Sequence, residues 1–224
     1  MITQPLVMPQ IQWLITAPTA LVTGGARGVG RAVVATLRAR GWNVIAPTRA
    51  ELDFDDAASV ESWAFNNTHA FNAIVFCHGT WYSKSRAAQR QHEWSAQYQS
   101  RVILPLYLVN SIAWSDSVTM VASTRGFIGG VNTGPYSAAC AAQIALVQGY
   151  AREQSETRWN CVCPGLTDTD MARAVRATGG AAIDAIAQPA QAVADEVVRL
   201  IVSDDNGKIM RVVNSEVSEA KWSW

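Results

Sequence analysis

The chain has 224 residues, 49% of them hydrophobic, with 18 basic residues against 18 acidic ones. That is enough to bury a full core, and a single α/β domain is the default organisation at this length. Balanced charge with no run of one sign excludes the electrostatic footprint of a nucleic-acid or acidic-membrane partner, and no stretch approaches the roughly 18 apolar residues of a bilayer span.

Met1 to Pro18 carries Pro5, Pro9 and Pro18 and no basic cluster ahead of an apolar run. It is expected to be an irregular lead-in and not a signal peptide, which makes the cytoplasm the expected location. Thr19 to Thr23 is a short apolar run ending in Gly24-Gly25-Ala26-Arg27-Gly28-Val29-Gly30, after which Val33, Val34 and Leu37 recur at helical spacing up to Gly41. This predicts strand, glycine turn and helix in succession. A strand over Asn43 to Ala46, a helix over Ala57 to Phe65 and a buried strand over Ala73 to Cys77 come next. An amphipathic stretch from Gln91 to Ile112 then leads to strand Val118 to Ala122, helix Ser137 to Ser155 and strand Trp159 to Cys163. Helices over Asp170 to Ala177 and Gln191 to Val202, and a closing strand over Lys208 to Val213, complete the series. Strands alternating with helices imply an α/β fold of Rossmann type, a doubly wound parallel sheet of about seven strands with helices on both faces.

Cys77, Cys140, Cys161 and Cys163 lack the paired spacing of a zinc site and are expected to be buried small hydrophobes, so no metal is expected. The nine tryptophans have no period and read as core and interface filler.

In a βαβ unit the glycines after the first strand let the backbone approach a pyrophosphate, whose charge rests on the first amides of the helix. The run Thr23-Gly24 to Gly30 has that context, and its TGxxxGxG pattern resembles the cofactor motif of the short-chain dehydrogenase/reductase family. Further motifs of that family follow in order from about Thr19 to Asn214. The resemblance implies dinucleotide contacts from Gly24, Arg27, Gly28, Val29 and Gly30. Leu52-Asp53-Phe54-Asp55-Asp56 looks like the family's segment following its second and third strands, which implies an adenine contact from Asp53 beside Phe54; Asp53 or Asp55 could instead simply cap the next helix. At the end of the second strand stand Thr48 and Arg49 with no carboxylate. A carboxylate there would hold a ribose 2′-hydroxyl, whereas arginine pairs with a 2′-phosphate, so Arg49 and Arg27 favour NADP(H) over NAD(H).

Ser123 and Tyr136, thirteen residues apart around a glycine-rich segment, resemble the family's catalytic serine and its acid/base tyrosine. Cys77-His78-Gly79 stands where relatives have Asn-Ala-Gly. Pro164-Gly165-Leu166-Thr167-Asp168-Thr169 resembles the family's nicotinamide loop, with Thr169 holding the carboxamide and the Thr167 backbone assisting. The family's lysine, four residues after the tyrosine, is here Cys140, and its helix asparagine aligns with Arg101. A lysine would hydrogen-bond the nicotinamide ribose and lower the tyrosine pKa by about 1–3 units; a thiol does neither. Without that help Tyr136 stays protonated at neutral pH, which suits donation to a carbonyl better than abstraction from an alcohol. Arg101, Lys84 and Arg125 are candidates for the missing charge, and each is equally readable as a surface residue. His78 is either a proton carrier or, the commoner case, a hydrogen-bonded structural side chain.

The resemblance implies an NADP(H)-dependent reductase of a small carbonyl or alcohol substrate, with a catalytically silent dinucleotide-binding subunit as the alternative. Substrate choice is expected from the segments Trp81 to Gln91 and Met171 to Pro189. By analogy with relatives, a homodimer or homotetramer would form through the helices Gln91–Ile112 and Ser137–Ser155.

Overall fold

A computed structural model describes residues 17–67, 69–112, 116–153, 156–177 and 187–220. The expected lead-in lies almost wholly outside the described residues, as does the middle of the segment Met171 to Pro189. Second from one edge of the sheet lies β1 (Thr19–Thr23), whose Ala20 and Val22 face one side and Leu21 the other. It is joined by β2 (Asn43–Ile45), β3 (Ala73–Phe76), β4 (Ser117–Val121), β5 (Arg158–Pro164), β6 (Ile209–Val213) and β7 (Glu216–Glu219). Their order is β2-β1-β3-β4-β5-β6-β7, parallel throughout except for β6 with β7. The doubly wound sheet expected from the sequence is thus present.

Its seventh strand is one the sequence pattern does not reveal. β7 is exposed at all four positions and pairs through the turn Asn214-Ser215, where both residues have positive φ of 52° and 65°. Such a turn fits the twist of a hairpin, but the strand itself has no alternation to announce it. Between β2 and Leu52–Asp56 no strand intervenes among the described residues; the segment is a series of turns.

One face of the sheet is covered by α1 (Gly28–Ala39) and α7 (Ala190–Val202), through Val33, Leu37, Val193 and Val197. The other is covered by α2 (Ala57–Asn66), α4 (Leu104–Ser111) and α5 (Gly134–Tyr150), through Val60, Leu108, Ile144 and Val147. Ahead of α4, α3 (Gln91–Tyr98) continues into it through a π-helical turn at Gln99–Ile103, so the single helix expected over Gln91 to Ile112 is interrupted. Pro105, at the start of α4, supplies the reason. Its ring would clash with the carbonyl four residues back, that of Arg101, and the widened turn relieves the clash. Helix α5 starts earlier than expected, with proline in its first turn, and this puts Tyr136 in that first turn. The remaining helix, α6 (Asp170–Ala177), has the bounds read from the sequence.

From β1 the chain passes to β2 on one side and then to β3 on the other. That reversal opens a crevice outside the carboxyl ends of β1 and β3, where doubly wound sheets bind ligands.

Candidate active site

The crevice is a cleft of about 700 Å³ reaching from the glycine turn to Tyr136. Gly24, with φ of +67°, brings β1 against the next strand's exit: a Cβ there would lie 2.8 Å from the His78 nitrogen. Gly30 lies directly against the Gly24 carbonyl, and it supports the turn from behind, whereas Gly24, Arg27, Gly28 and Val29 line the cleft. Helix α1 starts with no side-chain cap at Arg27 and no acidic residue in its first turn. Its first amides and the positive end of its dipole are therefore available to a phosphate.

His78 is the hub beneath this turn. Its Nε2 lies 2.7 Å from the Ser100 carbonyl, which can only accept, so Nε2 carries the proton. Nδ1 then accepts from the Thr23 hydroxyl, also at 2.7 Å. The ring stacks on Phe54 at 3.8 Å, so the Phe54 side chain braces the cleft from within the core. Burial, with the nearby Arg101 charge adding to it, pushes the imidazole down to about 4. Both ring nitrogens are engaged, which accords with the reading of His78 as a hydrogen-bonded structural side chain. Beside it, burial pushes the Cys77 thiol up to about 12.

At the far end the Thr48 N–H and hydroxyl both donate to Glu51 Oε2, at 2.7 and 2.8 Å. A carboxylate that the sequence places beyond the strand thus folds back onto its end. Arg49 pairs with Asp53 at 3.1 Å and Asp55 at 2.7 Å, and Asp53 Oδ1 also accepts the Asp55 N–H. Of the two arginines expected at a 2′-phosphate, Arg49 is therefore committed to carboxylates. The Arg27 guanidinium has no hydrogen bond or ion pair among the described residues. Neither Asp53 nor Asp55 caps α2; Asp56 does, accepting the Ala58 N–H at 3.0 Å.

Ser123, Tyr136 and Arg101 converge at the inner end. Ser123 follows β4 and its Oγ accepts the Arg125 N–H at 3.2 Å. Tyr136 is buried, with the Ser123 and Cys140 side chains near enough to its hydroxyl to influence its titration. The π-helical turn aims Arg101 inward, with its guanidinium carbon 4.6 Å from the Tyr136 ring centroid. Its Nε donates to Gln97 Oε1 at 3.2 Å and its Nη2 to the Thr80 carbonyl at 3.0 Å. The contact with tyrosine is thus charge on ring face. Burial is the main force pushing Tyr136 up to about 12; the Arg101 charge and the Ser123 side chain oppose it, and Cys140 adds to it. The Cys140 thiol is itself pushed up by burial. It belongs to a thiol cluster with Cys161 and Cys163, whose sulfurs lie 3.6 Å apart; all four cysteines are free. Among the described residues no group of side chains could hold a metal.

Lys84 is not at the site. It pairs with Glu93, which also accepts from the Tyr82 hydroxyl at 2.7 Å and the Arg90 N–H at 2.8 Å. The Lys84 and Tyr82 hydrogen bonds hold the Glu93 carboxyl down at about 2. This cluster pins the loop after Thr80, so that Trp81 packs on Tyr136 at 4.9 Å. Nothing in the sequence pattern marks Gln97, Trp81 or Glu93 for these tasks, except that Gln97 precedes Arg101 by one helical turn. Pro164, Gly165, Thr167 and Thr169 line the cleft from its other wall. Thr169 Oγ1 accepts the Ala172 N–H at 3.3 Å and its methyl group packs on Gly28, while the Thr167 hydroxyl receives Gln188 Nε2 at 3.2 Å.

A family model described as short chain dehydrogenase matches residues 109–180, the stretch that carries Ser123, Tyr136 and Thr169. Over that stretch the chain is similar to the short-chain dehydrogenase/reductase family. Over 185 residues it is 27% identical to the 3-oxoacyl-[acyl-carrier-protein] reductase FabG of Salmonella typhimurium, covering 70% of this chain and 76% of that one. A small-chain dehydrogenase in complex with NADPH superposes with a TM-score of 0.79 at 19% identity, covering 89% of this chain and 98% of the other. ElxO with NADP bound gives 0.75 at 16% identity, with the same coverage. The structural matches establish the fold. No helix among the described residues is long and apolar enough to cross a membrane.

Proposed function

We propose that the chain is an NADP(H)-dependent oxidoreductase that reduces the carbonyl group of a small substrate. What carries this reading is the convergence of Ser123, Tyr136 and the Arg101 charge at the end of a cleft whose other end is an open glycine turn. The uncapped first amides of α1 and the close backbone approach at Gly24 fit the pyrophosphate of a dinucleotide. Gly28 and Val29 would face it, with Asp53, Thr48 and Cys77 along the adenosine side and Pro164, Gly165, Thr167 and Thr169 along the nicotinamide side. Arg27 would take the 2′-phosphate, and Arg49 would need to leave Asp53 and Asp55 to assist. When bound, the dinucleotide supplies the hydride.

Tyr136, protonated at neutral pH, donates to the carbonyl oxygen. Ser123 donates a second hydrogen bond to the same oxygen, its Oγ held in place by the Arg125 N–H. The guanidinium under the ring stabilises the tyrosinate that donation leaves behind. Cys140 stands where the resemblance places a lysine, and a neutral thiol neither lowers the tyrosine pKa nor holds a ribose. That favours reduction over oxidation, and it is also what favours a second reading, a dinucleotide-binding protein without turnover.

Fluorescence titration with NADPH and NADH tests the first element, with NADPH expected to bind at least about tenfold tighter, a difference of about 1.4 kcal/mol. Tyr136→Phe is expected to abolish carbonyl reduction while leaving NADPH affinity intact. Tight NADPH binding with no turnover of any carbonyl, unchanged by Cys140→Lys, would establish the second reading. Absence of dinucleotide binding would overturn both.

A further inference from the structure

Arg125 stands two residues beyond Ser123 and lines the same cleft, half-buried. Its backbone N–H holds Ser123 Oγ, so its position is tied to the point where a carbonyl oxygen would be polarised. The guanidinium lies over Gly130, whose missing side chain gives it room: a Cβ there would be 3.0 Å from both its central carbon and Nη1. Among the described residues it has no hydrogen bond and no ion pair. Most of the other arginines nearby are satisfied. Arg49 holds Asp53 and Asp55, Arg101 holds Gln97 and Thr80, and Arg173 holds Asp168 and Asp170. Arg27 is free as well, but it lies at the glycine turn. The carboxylates that line the cleft, Asp53, Asp55 and Asp170, are each tied to one of these other arginines.

A guanidinium presents a planar fork of donors and cannot give up its charge, so a half-buried one without acceptors is matched by an anion delivered from outside. One fork matches one planar monoanion, a carboxylate; a phosphate dianion calls for more than one cation. We infer that Arg125 selects substrates in which a carboxylate lies a short distance from the reactive carbonyl, that is, short oxo acids. The carboxylate would sit on the Arg125 fork while the carbonyl oxygen lies between Ser123 and Tyr136. This rests on the reductase reading and adds the substrate class to it.

The test follows NADPH oxidation with a series of short oxo acids and their methyl esters, together with calorimetry of the matching hydroxy acids on the protein–NADPH complex. Acids are expected to be preferred over esters by about ten- to a hundredfold in kcat/KM, the range of one charge-assisted hydrogen-bond pair. Arg125→Gln should raise KM for the acids by that factor and leave the esters unchanged, and Arg125→Lys should recover part of the loss. A merely structural role would move acids and esters together. Equal use of acids and esters, unaffected by Arg125→Gln, overturns the inference while leaving the reductase reading in place. Hydroxy-acid binding that depends on Arg125, without any turnover, upholds the anion site and overturns the reductase reading instead. Preference for a phosphorylated carbonyl over the carboxylate refutes the substrate class.

Discussion

Acidification should unfasten the molecule at His78, and the size of the effect follows from the geometry. The ring is stacked on Phe54, gives its Nε2 proton to Ser100 and takes the Thr23 hydroxyl on Nδ1. Its pKa in the folded chain is down at about 4 from an ordinary 6.5, chiefly through burial. An unfolded histidine takes up its proton below about 6.5, while the folded one resists to about 4. The contribution is therefore complete above pH 6.5 and is lost as pH falls towards 4. Across that window unfolding binds about one extra proton, worth about 2 kcal/mol between pH 7 and pH 5 and up to about 3 kcal/mol in all. The upper figure is a ceiling, because part of the residue remains in contact with water. Carboxylates add their own slope at low pH, so the measurement is a difference: urea unfolding of the wild type and of His78→Asn at pH 7, 6 and 5. The variant should be less stable at pH 7, by about 2–4 kcal/mol for the lost ring packing and hydrogen bonds. The gap between the two proteins should then narrow by about 2 kcal/mol at pH 5. A gap that stays constant with pH would mean that His78 titrates normally and that the neutral, doubly hydrogen-bonded ring is wrong.

Gly30→Ala would drive a methyl group into the Gly24 carbonyl and open the turn; dinucleotide binding should be lost while the helical circular-dichroism signal persists, and wild-type affinity would show that this turn is not the phosphate cradle. Arg101→Gln removes a charge 4.6 Å from the Tyr136 ring centroid, and a unit charge at about 5 Å is worth about 3 kcal/mol at an effective dielectric constant near 20. The reduction rate at saturating NADPH should therefore fall about a hundredfold, with part of it retained in Arg101→Lys. An unchanged kcat in a folded Arg101→Gln protein would remove Arg101 from the mechanism.

Local pattern carried much of this protein. The strand, glycine turn and helix from Thr19 to Ala39 and the alternation of strands and helices are written in neighbouring residues, because steric preference, periodicity and capping act over a few positions, whereas the pair Ser123 and Tyr136 stood out only through the family resemblance. The exposed strand β7 escaped because it buries nothing, so its composition was never constrained to alternate. The fate of each charge was equally invisible. Arg27, Arg49, Lys84, Arg101 and Arg125 are alike as letters, yet Arg49 is held by Asp53 and Asp55, and Lys84 by Glu93. Arg101 is swung under Tyr136 by a helix turn widened at Pro105, and Arg125 is left facing the cleft. Which acceptor reaches which cation depends on side chains far apart in sequence meeting at the sheet's carboxyl edge. Backbone propensity carries no record of that meeting; only the packed chain, where burial and distance set the strength of each charge, decides it.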